Sequence, residues 1–133
     1  MSPRRFLRPA IAGGLLLFGG GGATAQGGEP IAALRAVERG QWQLRLAGGG
    51  VRRLCVGNPR ALLQVQHKTA RCQIVVMDNG ASTATVRYTC PGHGQGRTTL
   101  TVETSKLISL DTQGVIDGAP FSETYEGRLL GPC

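Results

Sequence analysis

The side chains in this sequence that are best suited to chemistry fall into two sets: four cysteines and a glycine-rich segment that contains His93 and Arg97. Within residues 91–97 (PGHGQGR), backbone N–H groups together with an imidazole and a guanidinium could bind an anionic group. A phosphate-binding glycine loop normally precedes a helix, whereas this segment precedes a strand pattern. The segment is therefore predicted to be a bulge or tight crossover that needs glycine backbone, with His93 and Arg97 as a candidate loop site.

No other motif indicates catalysis. A hydrolase needs a nucleophile, a base and an orienting group held close together, but the sequence has only two histidines and neither a GxSxG nor an SxxK motif. His67 follows a predicted short helix and is expected to be an exposed loop residue. Asp111 and Asp117 fit turn chemistry better than a catalytic carboxylate pair. The sequence favours a non-catalytic protein, and it assigns no catalytic, cofactor-binding or metal-binding residue.

The four cysteines are Cys55, Cys72, Cys90 and Cys133. Their spacing contains no CxxC pair, which argues against a zinc site. In an oxidising compartment two disulfides are expected, and four cysteines allow three pairings.

Strand register selects one pairing. Two β-rich runs, CQIVVMD from residue 72 and TATVRYTC from residue 83, flank a polar turn. A two-residue Asn-Gly turn would leave Cys72 without an opposing cysteine. A longer loop centred on Ala81 places Cys72 opposite Cys90 and puts the apolar side chains on one face, Ile74 opposite Tyr88 and Val76 opposite Val86. We therefore predict Cys72–Cys90, and Cys55–Cys133 follows by elimination.

The N-terminal residues have the layout of a secretory signal peptide. Arg4, Arg5 and Arg8 precede a short apolar run, and Ala23-Thr24-Ala25 fits a cleavage site after Ala25. The run is shorter than the roughly 20 residues that a spanning helix needs. Residues 1–25 are predicted to be removed during export to the periplasm, with the general secretory route favoured over twin-arginine export, and no transmembrane segment is expected afterwards.

The remaining chain is predicted to be a single disulfide-stapled β domain over residues 40–133, preceded by a lead-in over 26–39 with a short helix. Alternating apolar residues predict strands over 41–46, 51–56, 72–78, 83–90, 97–104, 107–115 and 119–130, with a short helix over 59–66. A two-residue turn at Asp117-Gly118 would set Leu110 opposite Tyr125 and Gly114 opposite Phe121. The predicted fold class is mainly β: an antiparallel curved meander sheet or partly closed barrel of about seven strands with one or two short helices.

An ordered set of short motifs resembles a known family. The set comprises Gly40-x-Trp42, the four cysteines, Tyr88-x-Cys90-x-Gly92-x-Gly94-x-Gly96, Tyr125-x-Gly127 and Gly131-x-Cys133. It is similar to the domain-of-unknown-function family 3617, small exported proteins of Gram-negative bacteria, over residues 40–133. Many relatives have a methionine-rich stretch near the C-terminal strands, whereas this chain has only Met77 after cleavage. The resemblance implies a β-rich envelope domain, and it assigns no activity and no functional residue.

Charge distribution bears on partners. After loss of residues 1–25 the chain would keep 12 basic and 8 acidic residues, a net charge of +4. Residues 31–71 hold eight basic residues and one acid, whereas residues 72–133 are net negative. This asymmetry favours an anionic surface, either lipid head groups or a cell-wall polymer, with Arg45, Arg52, Arg53 and Arg60 as candidate contacts. Nucleic acid is not expected as a partner, because no aromatic residues are interleaved with the basic ones.

The sequence therefore predicts a non-catalytic envelope module that binds an anionic surface or a small apolar ligand. A small periplasmic hydrolase or redox helper is the alternative, and a redox role would require a reactive, accessible cysteine. A hollow sheet interior would favour a carrier, and a filled one would favour surface interaction.

Overall fold

The computed structural model describes residues 29–133, so the predicted signal peptide and the first residues of the lead-in lie outside the described residues. Seven antiparallel strands form one curved sheet that does not close into a barrel. The strands are β1 (Gly40–Leu46), β2 (Val51–Val56), β3 (Gln73–Asn79), β4 (Thr83–Cys90), β5 (Gly94–Thr104), β6 (Leu107–Ile116) and β7 (Ala119–Gly131). Their order in the sheet is β2-β1-β7-β6-β5-β4-β3, which leaves β2 and β3 as the two edges. The predicted fold class is confirmed.

Two 3₁₀ helices pack against one face of the sheet. They are η1 (Ala32–Ala36) and η2 (Pro59–His67). We call the covered side the inner face; it carries the alternate residues that include Trp42, Leu100 and Leu110, all of which are fully buried. The opposite side, which carries Arg53 and Arg97, is the outer face. Both helices contribute to one core with the strands, so residues 31–37 of the lead-in belong to the folded domain.

The β3–β4 hairpin has the predicted register. Ile74 is opposite Tyr88 and Val76 is opposite Val86, and the Cys72–Cys90 disulfide closes the hairpin with a Cα–Cα distance of 4.1 Å. The alternative two-residue turn is wrong. A bulge between Val76 and Asp78 shifts the register next to the loop. That bulge lets the hairpin end in a three-residue loop while the apolar side chains stay on the inner face.

The β6–β7 hairpin also matches its prediction. Ile116 is opposite Ala119, with Asp117 at φ 48° and Gly118 at φ 82° between them. Positive φ at both central residues is the geometry of a type I′ turn, which suits the right-handed twist of the strands. Further along, Leu110 pairs with Tyr125 and Gly114 pairs with Phe121, as expected.

The glycine-rich segment is a tight hairpin turn between the adjacent antiparallel strands β4 and β5, not the predicted bulge or crossover, although it does need glycine backbone. Gly92 and Gly94 have φ values of +79° and +119°, which other residues rarely adopt. Strand β5 begins at Gly94, which pairs with Cys90 of β4 and Ile116 of β6, rather than at residue 97, and the Tyr88 ring lies directly against Gly96. A Cβ at Gly96 would come within 2.7 Å of Tyr88 Cε1, so no side chain fits there.

The second predicted disulfide, Cys55–Cys133, is also present. It joins edge strand β2 to the residues that follow β7, across the beginning of β1. Together the two disulfides indicate an oxidising, exported environment.

Candidate functional site

The four arginines predicted to contact an anionic surface occupy three separate places in the fold. Arg45 and Arg53 lie on the outer face of β1 and β2, and both are exposed. Arg52 lies on the inner face of β2 and is partly buried. Arg60 lies in the first turn of η2. These four side chains therefore do not form one patch.

Arg52 takes part in an internal hydrogen-bond network. Its Nη2 donates to the Val65 carbonyl at 3.1 Å, and its Nη1 donates to the Tyr125 hydroxyl at 3.4 Å and to Gln66 Oε1 at 3.5 Å. The Tyr125 hydroxyl and the Gln66 amide both donate to the Glu123 carboxylate. The network joins β2, η2 and β7, so the Arg52 guanidinium holds η2 onto the sheet and is not available to a surface.

Both tyrosine hydroxyls inside the sheet remain protonated donors at neutral pH. Burial raises the pKa of Tyr125 above its usual 10.0, and its hydrogen bond to Glu123 raises it further, while Arg52 opposes the shift. Burial also raises the pKa of Tyr88, opposed by its hydrogen bond with Thr112.

A basic concave surface lies between residues 30–39 and η2. A groove of about 360 Å³ is bordered there by the guanidinium-bearing side chains of Arg35, Arg39 and Arg60. Its other lining residues are mostly apolar: Pro30, Ile31, Leu34, Val37, Asn58 and Pro59. We call this feature the arginine groove. It combines positive charge with an apolar lining, which suits an anionic amphiphile.

Local sequence positions each wall of the arginine groove. Ile31 and Val37 flank η1 and are buried in the core, which leaves Arg35 exposed on the opposite side of the turn. The Asn58 side chain accepts a hydrogen bond from the Arg60 backbone N–H at 3.1 Å, and Pro59 occupies the first helical position. These are standard helix-start signals, and they fix the end of η2 that carries Arg60.

Asn79, at the end of β3, anchors the N-terminal wall of the groove. Its Oδ1 accepts from the Ala32 N–H at 2.9 Å. Its Nδ2 donates to the Pro30 carbonyl at 2.9 Å and to the Glu29 carboxylate at 3.3 Å. Three hydrogen bonds from one side chain therefore hold η1 in place beside η2.

No carboxylate forms an ion pair with an arginine of the groove within the part of the chain that the structure describes, although Glu29 lies at its N-terminal wall. In residues 29–133 Arg128 forms an ion pair with Glu126, and His93 Nδ1 lies 3.7 Å from Asp117; neither contact involves the groove. Glu38 lies close in sequence, but it lines a separate depression with Lys106 that Arg39 also borders. The groove thus presents three positive charges that have no ion-pair partner in the described structure.

The two residues of the predicted loop site are not brought together. His93 is exposed in the turn after β4, where its Nδ1 lies 3.7 Å from the Asp117 carboxylate. Arg97 lies on the outer face of β5, where it is directly opposite Arg87 of β4. His93 and Arg97 therefore lie on two different surfaces.

His67 is buried, so the expectation of an exposed loop residue is wrong. Its side chain is 4% exposed, and Nε2 lies 3.1 Å from the His93 carbonyl. Because a carbonyl only accepts, Nε2 donates to it, and in the tautomer that carries its proton on Nε2 the Nδ1 atom accepts from the Tyr88 hydroxyl at 3.1 Å. His67 thereby ties the end of η2 to β4 and to the turn between β4 and β5.

Sequence reasoning missed Arg35 and Arg39 as site residues, although both lie in the basic segment 31–71. The signal that could have selected them is the predicted lead-in helix, since arginines on its exposed side would lie beside apolar residues that face the core. No sequence pattern indicated that Gln66 and Glu123 belong to the hydrogen-bond network of Arg52.

The described residues show no cluster of three or more His, Cys, Asp or Glu side chains placed to hold a metal ion. Between residues 29 and 133, neither helix has the length and apolar character required to cross a bilayer. All four cysteines are in disulfides. Comparisons with protein-family models, curated proteins and solved structures find no match to the chain.

Proposed function

We propose that this protein is a non-catalytic module of the periplasm that binds an anionic lipid surface through the arginine groove. The observation that carries the proposal is the grouping of Arg35, Arg39 and Arg60 around an apolar groove with no ion-pair partner in the described structure. The signal-peptide pattern of residues 1–25, with cleavage after Ala25, and the two disulfides support the periplasmic location. Membership of the domain-of-unknown-function family 3617 is part of the same proposal.

A lipid surface suits the groove because its anionic head groups complement the arginines and its acyl chains complement the apolar lining. Phosphate head groups pair with arginine guanidinium groups in a bidentate geometry. The half-buried Leu34 and the prolines around it can meet the first acyl carbons below the head groups. Each arginine near an anionic bilayer contributes about 1 kcal/mol, so three arginines account for roughly 100-fold in affinity.

The filled interior favours surface interaction over carriage of an apolar ligand. Trp42, Tyr88, Leu62 and Leu63 are fully buried between the sheet and η2. The pockets found in the described residues open to the outside, and the lining of each includes exposed side chains. A carrier would instead need an enclosed cavity between the helices and the inner face.

The test is binding of the oxidised protein to phosphatidylglycerol vesicles, with phosphatidylcholine vesicles for comparison. The triple variant Arg35→Gln, Arg39→Gln, Arg60→Gln is expected to bind about 100-fold more weakly than wild type. Wild-type binding to the anionic vesicles is expected to weaken between about 50 mM and about 500 mM NaCl, because exposed charges are screened.

A matched control removes three arginines from the outer face: Arg45→Gln, Arg53→Gln, Arg128→Gln. The register places these residues on β1, β2 and β7, away from the groove, and the net charge falls by the same amount. This control is expected to keep most of the vesicle binding. Equal loss in both triple variants would show that net charge alone attracts the protein to the vesicles, and the groove proposal would then be rejected.

A further inference from the structure

A second unsatisfied pair of arginines lies on the outer face, at the other end of the sheet. Arg87 of β4 and Arg97 of β5 are directly opposite each other in the antiparallel register. Like charges in this position destabilise a sheet unless an anion lies between them. Within residues 29–133 neither guanidinium takes part in an ion pair or a side-chain hydrogen bond.

The nearest acid by register is already engaged. Asp111 lies diagonally across from Arg97, opposite Thr99. Its Oδ1 accepts a hydrogen bond of 2.6 Å from the Thr124 hydroxyl. Neither arginine is within ion-pair distance of a carboxylate in residues 29–133, although Asp111 borders the same depression as Arg97.

A depression of about 460 Å³ adjoins this pair, within the range of roughly 300–1,000 Å³ that small-molecule sites span. Arg87 borders it together with three uncharged hydrogen-bonding side chains, Gln95, Gln113 and Ser122. Val115 provides an apolar wall, and Gly96, Gly114 and Phe121 contribute backbone, since the Phe121 ring lies on the inner face near His67. Arg97 lines the adjoining depression, which shares Gln113 and Ser122 with the first.

This combination defines the chemistry of a ligand. The two guanidinium groups can bind a carboxylate. The two amides and the hydroxyl can bind several neutral hydroxyl groups of a ligand, and the apolar wall can pack against the C–H groups of its ring. We infer that this outer-face depression binds an acidic sugar, a hexuronate, with its carboxylate between Arg87 and Arg97. The site is independent of the arginine groove, because it involves other strands and the opposite face of the sheet.

The ligand test uses isothermal titration calorimetry of the oxidised protein with galacturonate, with trigalacturonate and with neutral galactotriose. Galacturonate or its trimer is expected to bind, and Arg97→Gln or Arg87→Gln is expected to lower the affinity at least 10-fold. The control Arg53→Gln removes an outer-face charge from β2 and should leave the affinity unchanged. Tighter binding of the trimer would identify a polymer segment as the source, and equal affinities would identify the free sugar acid.

Three results would overturn the inference. These are no heat with either acidic sugar at millimolar concentration, binding of galactotriose or inorganic phosphate as tight as that of galacturonate, and equal loss of affinity in Arg53→Gln.

Thermal unfolding without ligand separately tests the premise that Arg87 and Arg97 repel each other. At low ionic strength Arg97→Gln should raise Tm by about 1–5 °C because it removes the opposed charge, and the gain should shrink in high salt. A lower Tm for this variant would mean that Arg97 already has a stabilising partner, and the site would be rejected.

Discussion

Gly96 shows how a missing side chain positions a buried aromatic residue. The Tyr88 ring lies against the Gly96 backbone, and its hydroxyl reaches His67 at 3.1 Å. A β-carbon at position 96 would displace the ring and break this contact between the sheet and η2. The sequence predicted that this segment needs glycine backbone. At position 96 the reason is the contact between Tyr88 of β4 and Gly96 of β5.

We expect Gly96→Ala to lower the free energy of unfolding by about 1–3 kcal/mol, the usual range for overpacking a core. Urea denaturation of the oxidised protein measures the change. The control is Gly57→Ala, because a Cβ at Gly57 would meet no atom within 4 Å. If the two variants were equally stable, the proposed packing of Tyr88 on Gly96 would be incorrect.

The disulfides act on whole elements, and they do so unequally. Cys55–Cys133 spans 78 residues and fastens edge strand β2, whereas Cys72–Cys90 spans 18 residues within a single hairpin. In the chain-entropy description a longer closed loop restricts the unfolded chain more strongly. The first bridge should therefore contribute more stability than the second.

Replacing both cysteines of a bridge by alanine tests this order. Loss of Cys55–Cys133 is expected to lower the free energy of unfolding by about 4.5 kcal/mol, and loss of Cys72–Cys90 by about 3 kcal/mol. Denaturant unfolding of the two double variants, without reductant, gives both values. A larger loss for the hairpin bridge would show that native-state packing outweighs loop length.

At the scale of elements, the sequence predicted most of the fold. Apolar alternation located every strand, and the opposed cysteines selected the β3–β4 register because a shift by one residue would have exposed Ile74 and Val76. The start of β5 was missed because glycines weaken a strand pattern. The Tyr88 ring accounts for Gly96, and a positive φ together with the adjacent Val115 carbonyl accounts for Gly94. The burial of His67 was missed because its partners lie 21 and 26 residues away.

The behaviour of the whole molecule at high pH follows from its buried tyrosines. Burial raises the pKa of both Tyr88 and Tyr125 above 10.0, so the folded state keeps their protons at pH values where the unfolded chain loses them. Stability contributed in this way is fully present below pH 10 and is lost as the pH rises through the folded-state pKa values. The free energy of unfolding should therefore fall above about pH 10.

Tyr125→Phe separates this effect from general alkaline damage. At pH 7 the variant should be less stable by about 1–3 kcal/mol, because Glu123 and Arg52 each lose a hydrogen-bond partner. Its stability should then decline less steeply above pH 10 than that of wild type. Denaturation curves from pH 7 to pH 11 check both points, and an equally steep decline in the variant would contradict the assignment.

The candidate sites were only partly predictable from the sequence, because the fold of the whole molecule determines which arginine side chains lie together. The excess of positive charge in residues 31–71 indicated an anionic partner, but the sequence did not show that Arg52 turns inward while Arg35 and Arg39 join Arg60. Likewise, Arg87 and Arg97 become a pair only through the β4–β5 register.

The position of β7 between β1 and β6 has a consequence for how an exported chain matures. The hairpin of β1 and β2 leaves the translocation machinery early, yet its neighbour in the sheet is the last strand to emerge. During that interval Trp42 and Leu44, both fully buried in the finished fold, have no strand β7 beside them. The β3–β4 bridge can be oxidised as soon as Cys90 emerges, whereas the bridge at Cys55 must wait for Cys133, so the β1–β2 hairpin lacks its neighbour in the sheet between the two oxidation events.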